Sequence, residues 1–182
     1  LLAELDIEGA DVLGLSLGGM VALQLALDHP GRVRRLVLSN TAPEITARSP
    51  AQQRALAIRL AAVRLLAPRL VGWLVGRKLF PRPDQAWLRR EMTDRWAAND
   101  REGYGAVLRA LAGWSVTERL PALGQPALVV TGDREHLPFM PAAEFAGRLP
   151  RGVLHVLPDS GHASPIDSPD AFNRLVLDFL SD

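Results

Sequence analysis

Val12-Leu13-Gly14-Leu15-Ser16-Leu17-Gly18-Gly19-Met20 is the stretch that decides the fold. An apolar run enters it and an alanine-rich helical pattern leaves it, which predicts a strand, a sharp turn and a helix. The spacing G-x-S-x-G puts Ser16 at the tip of that turn, where its hydroxyl stands clear of the sheet as a nucleophile would. We expect the turn to be strained, and a side chain at Gly14 or Gly18 to crowd it.

A glycine-rich turn between a strand and a helix can instead hold a phosphate group. This stretch lacks the G-x-G-x-x-G spacing, and no Lys-Ser or Lys-Thr pair follows its glycines, so a nucleotide-binding loop is disfavoured. The backbone N–H of Leu17 begins the predicted helix, where the helix dipole favours negative charge. It is therefore the predicted oxyanion-hole donor.

Composition predicts a globular chain with a sizeable core. Its 182 residues are 48% hydrophobic and 23% charged, which suits one domain with an insertion. No uninterrupted apolar run of about 18 residues and no basic-apolar leader is present, so we expect a cytoplasmic protein without membrane contact. The formal net charge of +1 disfavours nucleic-acid binding, and the lack of cysteine excludes disulfides and thiolate chemistry.

Apolar runs alternate with helical patterns outside the middle of the chain, which predicts an α/β fold with a parallel sheet of four visible strands. Residues 1 to 8 resemble the last turns of a helix that Gly9 ends. The four strands are predicted at 11–15, 35–40, 127–132 and 152–158, and the helices between and after them at 18–27, 141–148 and from Ser168 onward.

The middle of the chain, residues 44–119, shows no strand pattern and predicts a helical cap or lid insertion. Four helical patterns, at about 51–66, 69–79, 84–98 and 101–113, are separated by prolines.

The insertion holds 14 basic and 7 acidic residues. This positive excess could steer a carboxylate-bearing substrate, although arginines on helices are more often only solvated. Its tryptophans are expected to serve in packing more than in stacking, although some could line a pocket; they are Trp73, Trp87, Trp96 and Trp114. Residues 1–43 and 120–182 form the remaining, core part.

Three reactive groups follow three of the predicted strands, in the chain order serine, acid, histidine. Ligands bind at the carboxyl ends of strands in an open parallel sheet. Ser16, His162 and either Asp133 or Glu135 fall there, as nucleophile, base and the acid that orients the base. The remaining histidines, His29, His136 and His155, have no metal-site spacing, and we expect neither metal nor cofactor.

These residues together resemble the α/β-hydrolase superfamily. The resemblance rests on Gly14 to Gly19, His29-Pro30, the run 36–42, the strand 126–132 and Gly161-His162, and it covers nearly the whole chain. It implies Ser16 as nucleophile and His162 as base. The family's acid usually stands three residues after the glycine that ends the third of these strands; here that residue is Glu135, which we favour although aspartate is commoner, with Asp133 as the rival.

The resemblance also has implications for substrate and completeness. The segments 40–42 and 111–114 are similar to those of 3-oxoadipate enol-lactonases, which implies a small-molecule ester or lactone substrate. Similar enzymes have four more strands, and a loop with the second oxyanion donor, before the serine turn, so we expect a C-terminal part of the fold. Carbon-carbon bond hydrolysis, cofactor-free haloperoxidase-like activity, a binding relative and an inactive truncated fragment remain alternatives. The oligomeric state stays open.

Overall fold

A computed structural model describes residues 2–47, 49–135 and 140–181. The chain divides into two compact units, of which the first comprises Leu1–Glu44 with Ser115–Asp182 and the second Ile45–Trp114. In chain order the second unit is inserted into the first.

The first unit is built on a four-stranded parallel sheet in the order β1-β2-β3-β4. The strands are β1 (Ala10–Leu15), β2 (Val33–Ser39), β3 (Ala127–Gly132) and β4 (Gly152–Leu157). Across the sheet, Leu13 of β1 pairs with Val37 of β2, and Val37 pairs with Leu128 of β3. Within the described residues β1 and β4 are the two edges of the sheet, so β2 and β3 separate them. This confirms the predicted α/β class and its parallel sheet.

Both faces of the central strands are buried, as expected for a parallel sheet covered by helices. Because side chains alternate along a strand, one set from β2, β3 and β4 packs on helix α8 (Pro169–Ser181). That cluster consists of Val37, Leu128, Val130, Leu157, Phe172 and Val176. Leu36, Leu38 and Val129, which alternate with them, are also buried.

Three further helices belong to the first unit. Helix α1 (Leu17–Asp28) follows β1 directly and packs against β1 and β2, burying Met20, Leu23 and Ala26. Helix α6 (Ala142–Gly147) packs against β3 and β4 with Phe145 fully buried. The short helix α7 (Ser164–Asp167) immediately precedes α8 and was not predicted from the sequence. Its single turn is too short to show a helical period.

The second unit is all-helical, with α2 (Pro50–Leu65), α3 (Pro68–Leu79), α4 (Ala86–Ala97) and α5 (Arg101–Leu111). Ser49 begins α2 through a capping box with Gln52. A cluster around Val63, Val71 and Leu108 forms its core. The rings of Trp96 and Tyr104 pack edge to face beside it, 5.3 Å apart.

The expected helix at the start of the chain is wrong for the described residues. Residues 2 to 8 hold no α-helix: Ala3–Leu5 is a single 3₁₀ turn, ended by Asp6 in the left-handed conformation. Of the four tryptophans expected to pack, Trp96 lies against the core of the second unit and Trp114 is half-buried, whereas Trp73 is 46% and Trp87 64% exposed. Within the described part of the chain, no helix is both long and apolar enough to cross a bilayer.

Candidate active site

Ser16 lies in the turn between β1 and α1 and adopts a strained backbone conformation, with φ 54° and ψ −117°. Its N–H donates to the carbonyl of Ser39 at 2.9 Å, and its carbonyl accepts the hydroxyl of Thr41 at 2.7 Å. A serine before a helix usually caps it, but this side chain makes no capping hydrogen bond. The surrounding hydrogen bonds hold the strained turn and leave the hydroxyl available for another partner.

Close packing requires two of the three glycines around Ser16. A Cβ on Gly14 would lie 2.3 Å from the carbonyl oxygen of Gly18, and one on Gly19 would lie 2.5 Å from Cγ2 of Thr41. A Cβ on Gly18 would meet nothing within 4 Å, so the expectation that a side chain there crowds the turn is wrong. The space beside a glycine depends on which segments pack there, and the motif does not contain that information.

His162 lies between the serine and a carboxylate. Its Nε2 is 2.9 Å from Oγ of Ser16, and its Nδ1 is 2.6 Å from Oε2 of Glu135. The side chains of His162 and Glu135 are only 19% and 13% exposed, so water screens their interaction weakly. With a proton on Nδ1 donated to the carboxylate, Nε2 is free to accept the serine proton. The structure thus brings together Ser16, His162 and Glu135.

Asp133 does not contact His162. Its carboxylate accepts the N–H of Ser160 at 3.1 Å, in the loop between β4 and His162. Hydrogen bonds from the backbone of Asp159 above all, and then of Ser160, lower the pKa of Asp133. Asp133 therefore holds the loop that carries the histidine, while Glu135, three residues after Gly132, reaches the imidazole.

The loop leading to His162 is held at two further points. The N–H of Gly161 donates to Oδ2 of Asp167 at 2.8 Å, which ties the residue before the histidine to helix α7. A Cβ on Gly132 would lie 2.1 Å from the carbonyl oxygen of Ser160, so the end of β3 and this loop touch through their backbones. The position of the imidazole thus depends on residues of several elements.

Leu17 is the first residue of α1, directly after Ser16. N–H groups in the first turn of a helix have no acceptor within the helix and point outward at its positive end. The Leu17 N–H therefore lies at the N-terminal end of α1, next to Ser16, and its oxyanion-hole role stays a prediction. Its side chain is 40% exposed.

Asn40, which follows β2, is a member of this site that the sequence alone did not indicate. Its Nδ2 donates to Oε2 of Glu135 and to the carbonyl of Gly161, both at 3.1 Å. In the sequence, residue 40 stood out only as part of the segment 40–42 that is similar to enol-lactonases. A positive φ of 44° and burial of its amide distinguish it, and neither is visible in the sequence.

The other histidines lie elsewhere. His29 ends α1, and His155 lies on β4 opposite Val130, while His136 is outside the described residues. Among the residues that the structure describes, no group of three or more His, Asp or Glu side chains is placed to hold a metal ion.

The fold is that of an α/β hydrolase. A sequence model of the "Alpha/beta hydrolase family" matches residues 1–175, and the chain belongs to that family.

Its similarity extends to curated proteins and solved structures. The chain is 33% identical over 180 residues to the protein named "Putative carbamate hydrolase RutD" of Variovorax paradoxus, covering 93% of this chain and 65% of that protein. It is 30% identical over 189 residues to the 2-hydroxy-6-oxononadienedioate/2-hydroxy-6-oxononatrienedioate hydrolase of Comamonas testosteroni, covering 97% and 64%.

The crystal structure of the enol-lactonase from Burkholderia xenovorans superposes with a TM-score of 0.88 at 27% identity, covering 100% of this chain and 69% of that one. The chain therefore spans between 64% and 69% of the length of these three relatives.

Proposed function

We propose that this chain is a serine hydrolase that cleaves a carboxylic ester or a lactone through an acyl-enzyme formed on Ser16. The observation that carries the proposal is the pair of contacts at His162, 2.9 Å to the Ser16 hydroxyl and 2.6 Å to the Glu135 carboxylate. A hydroxyl is a weak nucleophile unless a base takes its proton, and the base works best when a carboxylate orients it. The similarity to an enol-lactonase supports the choice of substrate.

Each residue has one task in the proposed reaction. Oγ of Ser16 attacks the acyl carbon while Nε2 of His162 takes its proton, and Glu135 stabilises the imidazolium that forms. The N–H of Leu17 donates to the oxyanion of the tetrahedral intermediate. His162 then returns the proton to the departing alcohol oxygen, and a water molecule, activated by the same histidine, releases the acid and restores Ser16.

A fluorophosphonate probe tests this proposal because it modifies only an activated serine. We expect one probe per chain, mapped to Ser16, and none on the Ser16→Ala variant. The Ser181→Ala variant is the matched control, since the Ser181 hydroxyl is exposed and bonds its own helix at the carbonyl of Leu177. No labelling of the wild-type chain, or labelling that survives Ser16→Ala, would contradict the proposal.

Two relatives support alternative substrates for the same residues. The similarity to the Comamonas testosteroni hydrolase favours cleavage of a carbon-carbon bond in a 2-hydroxy-6-oxodienoate, and that to RutD favours a carbamate. Three substrate assignments are to be separated: an ester or lactone, a carbamate and a carbon-carbon bond. They are separated by turnover at equal concentration of p-nitrophenyl acetate, δ-valerolactone, an aryl carbamate and a 2-hydroxy-6-oxodienoate. We expect the ester and the lactone to be turned over fastest, and a dominant rate on either other substrate would replace the ester and lactone assignment.

We also propose that residues 44–119 act as a cap or lid for a core made of residues 1–43 and 120–182. The support is chain order, because α2 to α5 all fall between β2 and β3, and the compactness of the helical unit. Replacement of residues 45–114 by a short Gly/Ser linker tests it. Ser16 should still react with a small fluorophosphonate, while discrimination between short and long acyl esters should be lost. Unchanged discrimination would contradict a lid role.

A further inference from the structure

The residue after β2 lies between the proposed nucleophile and the proposed acid. Ser16 follows β1 and Glu135 follows β3, and in the sheet order β2 is the strand between them. The residue at that position is Asn40, which is 1% exposed. Its N–H donates to the carbonyl of Val130 at 2.8 Å, so its backbone is held at the end of the sheet.

The amide of Asn40 has a donor or an acceptor opposite each of its hydrogen-bonding positions. Nδ2 faces two acceptors, Oε2 of Glu135 and the carbonyl of Gly161. Oδ1 accepts the hydroxyl of Ser164 at 2.6 Å and that of Ser39 at 3.1 Å. A carboxylate and a carbonyl cannot donate, so the reverse orientation of the amide would leave two pairs of acceptors in contact. The amide therefore has one orientation.

The chemistry of the position selects asparagine. Its φ of 44° lies in the left-handed region, which asparagine and aspartate tolerate better than other residues with side chains. Aspartate, when ionised, would place a second negative charge against Oε2 of Glu135. Only asparagine combines the backbone preference with two donors.

We propose that Asn40 is a positioning residue of the active site, acting through Glu135 and His162. Its amide holds the Glu135 carboxylate against Nδ1 of His162 and holds the backbone of Gly161, the residue before the histidine. This inference rests on the proposed function, since it gives Asn40 a part in the same reaction.

A glutamate in the acid position needs such a partner more than an aspartate would. Its side chain has an additional rotatable bond, so holding it in one geometry costs more conformational entropy. The donor on Oε2 removes part of that freedom before the reaction begins. Because the same amide also bonds the carbonyl of Gly161, it fixes the position of the acid relative to the residue before the base.

A double-mutant cycle tests whether Asn40 acts through Glu135. Asn40→Gly removes the amide, and glycine adopts a φ of 44° without strain. We expect kcat for p-nitrophenyl acetate to fall about 10- to 100-fold with KM unchanged, by analogy with removal of the hydrogen-bond partners of metal-binding residues. In the Glu135→Gln background the same substitution should lower kcat by about threefold or less, because coupled residues are not additive.

Thr93→Ala is the matched control for removal of a buried polar group. The Thr93 hydroxyl bonds the carbonyl of Arg89 within helix α4, and its loss should leave kcat unchanged. Equal losses from Asn40→Gly in both backgrounds would overturn the inference and leave the proposed function standing. A wild-type chain that neither turns over esters nor reacts with fluorophosphonate would overturn both.

A second variant and a second measurement apply if Asn40→Gly fails to fold. Ser164→Ala keeps Asn40 but removes the hydroxyl that lies 2.6 Å from its Oδ1 and 3.2 Å from the carbonyl of Gly161, the carbonyl that Nδ2 of Asn40 also bonds. In the wild-type chain the Nδ1 proton of His162 should give a far-downfield NMR signal, because it lies in a short hydrogen bond to a carboxylate. We expect Ser164→Ala to shift or broaden that signal and Thr93→Ala to leave it in place. A signal unchanged in Ser164→Ala would overturn the inference.

Discussion

Nε2 of His162 lies 2.9 Å from Oγ of Ser16, although the two residues are 146 positions apart in the chain. They follow β4 and β1, the two edge strands of the described sheet, and three strand spacings amount to about 14 Å. The loop after β4 therefore has to extend across the ends of β3 and β2. Its hydrogen bonds to Asp133, Asn40 and Asp167 are what hold it there.

Strain at Ser16 should appear as a difference in stability between two inactive variants. Ser16→Gly relieves the positive φ, whereas Ser16→Ala keeps it, so we expect the glycine variant to be more stable by about 1 kcal/mol. Urea unfolding of both variants measures this difference. Equal midpoints, or a more stable alanine variant, would show that the turn stores no such strain.

Glu135 and Asp133 should differ in their effect on turnover. Glu135→Gln removes the charge 2.6 Å from Nδ1 of His162, and we expect kcat to fall about 100- to 10,000-fold, as for orienting carboxylates of serine hydrolases. Asp133→Asn is the matched control, since the Asp133 carboxylate accepts hydrogen bonds from the backbone of Asp159 and Ser160. The decrease of kcat in Asp133→Asn should be much smaller than that in Glu135→Gln. A collapse of kcat in Asp133→Asn alone would assign the acid to Asp133.

The lowered pKa of Asp133 predicts how stability depends on pH. Hydrogen bonds from the backbone of Asp159 and Ser160 favour the charged form in the folded state. The stabilisation is therefore present above the unfolded pKa of about 4 and is lost as pH falls through the lower folded value. Between about pH 5 and pH 2, the thermal unfolding temperature should fall less in Asp133→Asn than in the wild type. Parallel pH curves would contradict this coupling.

The glycines of the turn should tolerate alanine very differently. Gly14→Ala would press a methyl group against the Gly18 carbonyl at 2.3 Å, and neither backbone segment can move cheaply. We expect a loss of about 3 kcal/mol or more in unfolding free energy, the upper range for single substitutions. Gly18→Ala is the matched control, and in the first turn of a helix with open space it should be neutral or gain up to about 1 kcal/mol. A destabilised Gly18→Ala would mean that the motif needs both glycines.

Local sequence patterns predicted the elements of this chain well. The four strands appear within two residues of their predicted limits, because buried parallel strands are short apolar runs ended by glycine or polar residues. The helices of the insertion were predicted because prolines mark their ends, and α2 and α3 do begin at Pro50 and Pro68. The prediction of a helix over residues 1 to 8 was wrong because so short a segment does not distinguish an α-helix from the 3₁₀ turn at Ala3–Leu5.

The sequence by itself determined the α/β class, the strand-turn-helix around Ser16, and the order serine, acid, histidine. These depend on periodicity and on residue types a few positions apart. Only the tertiary structure decided that Glu135 and not Asp133 contacts His162, that Asn40 bonds Glu135, and that Gly14 and not Gly18 is sterically required. The first two relationships join residues 27 and 95 positions apart, and strand order and loop path across the sheet set their distances.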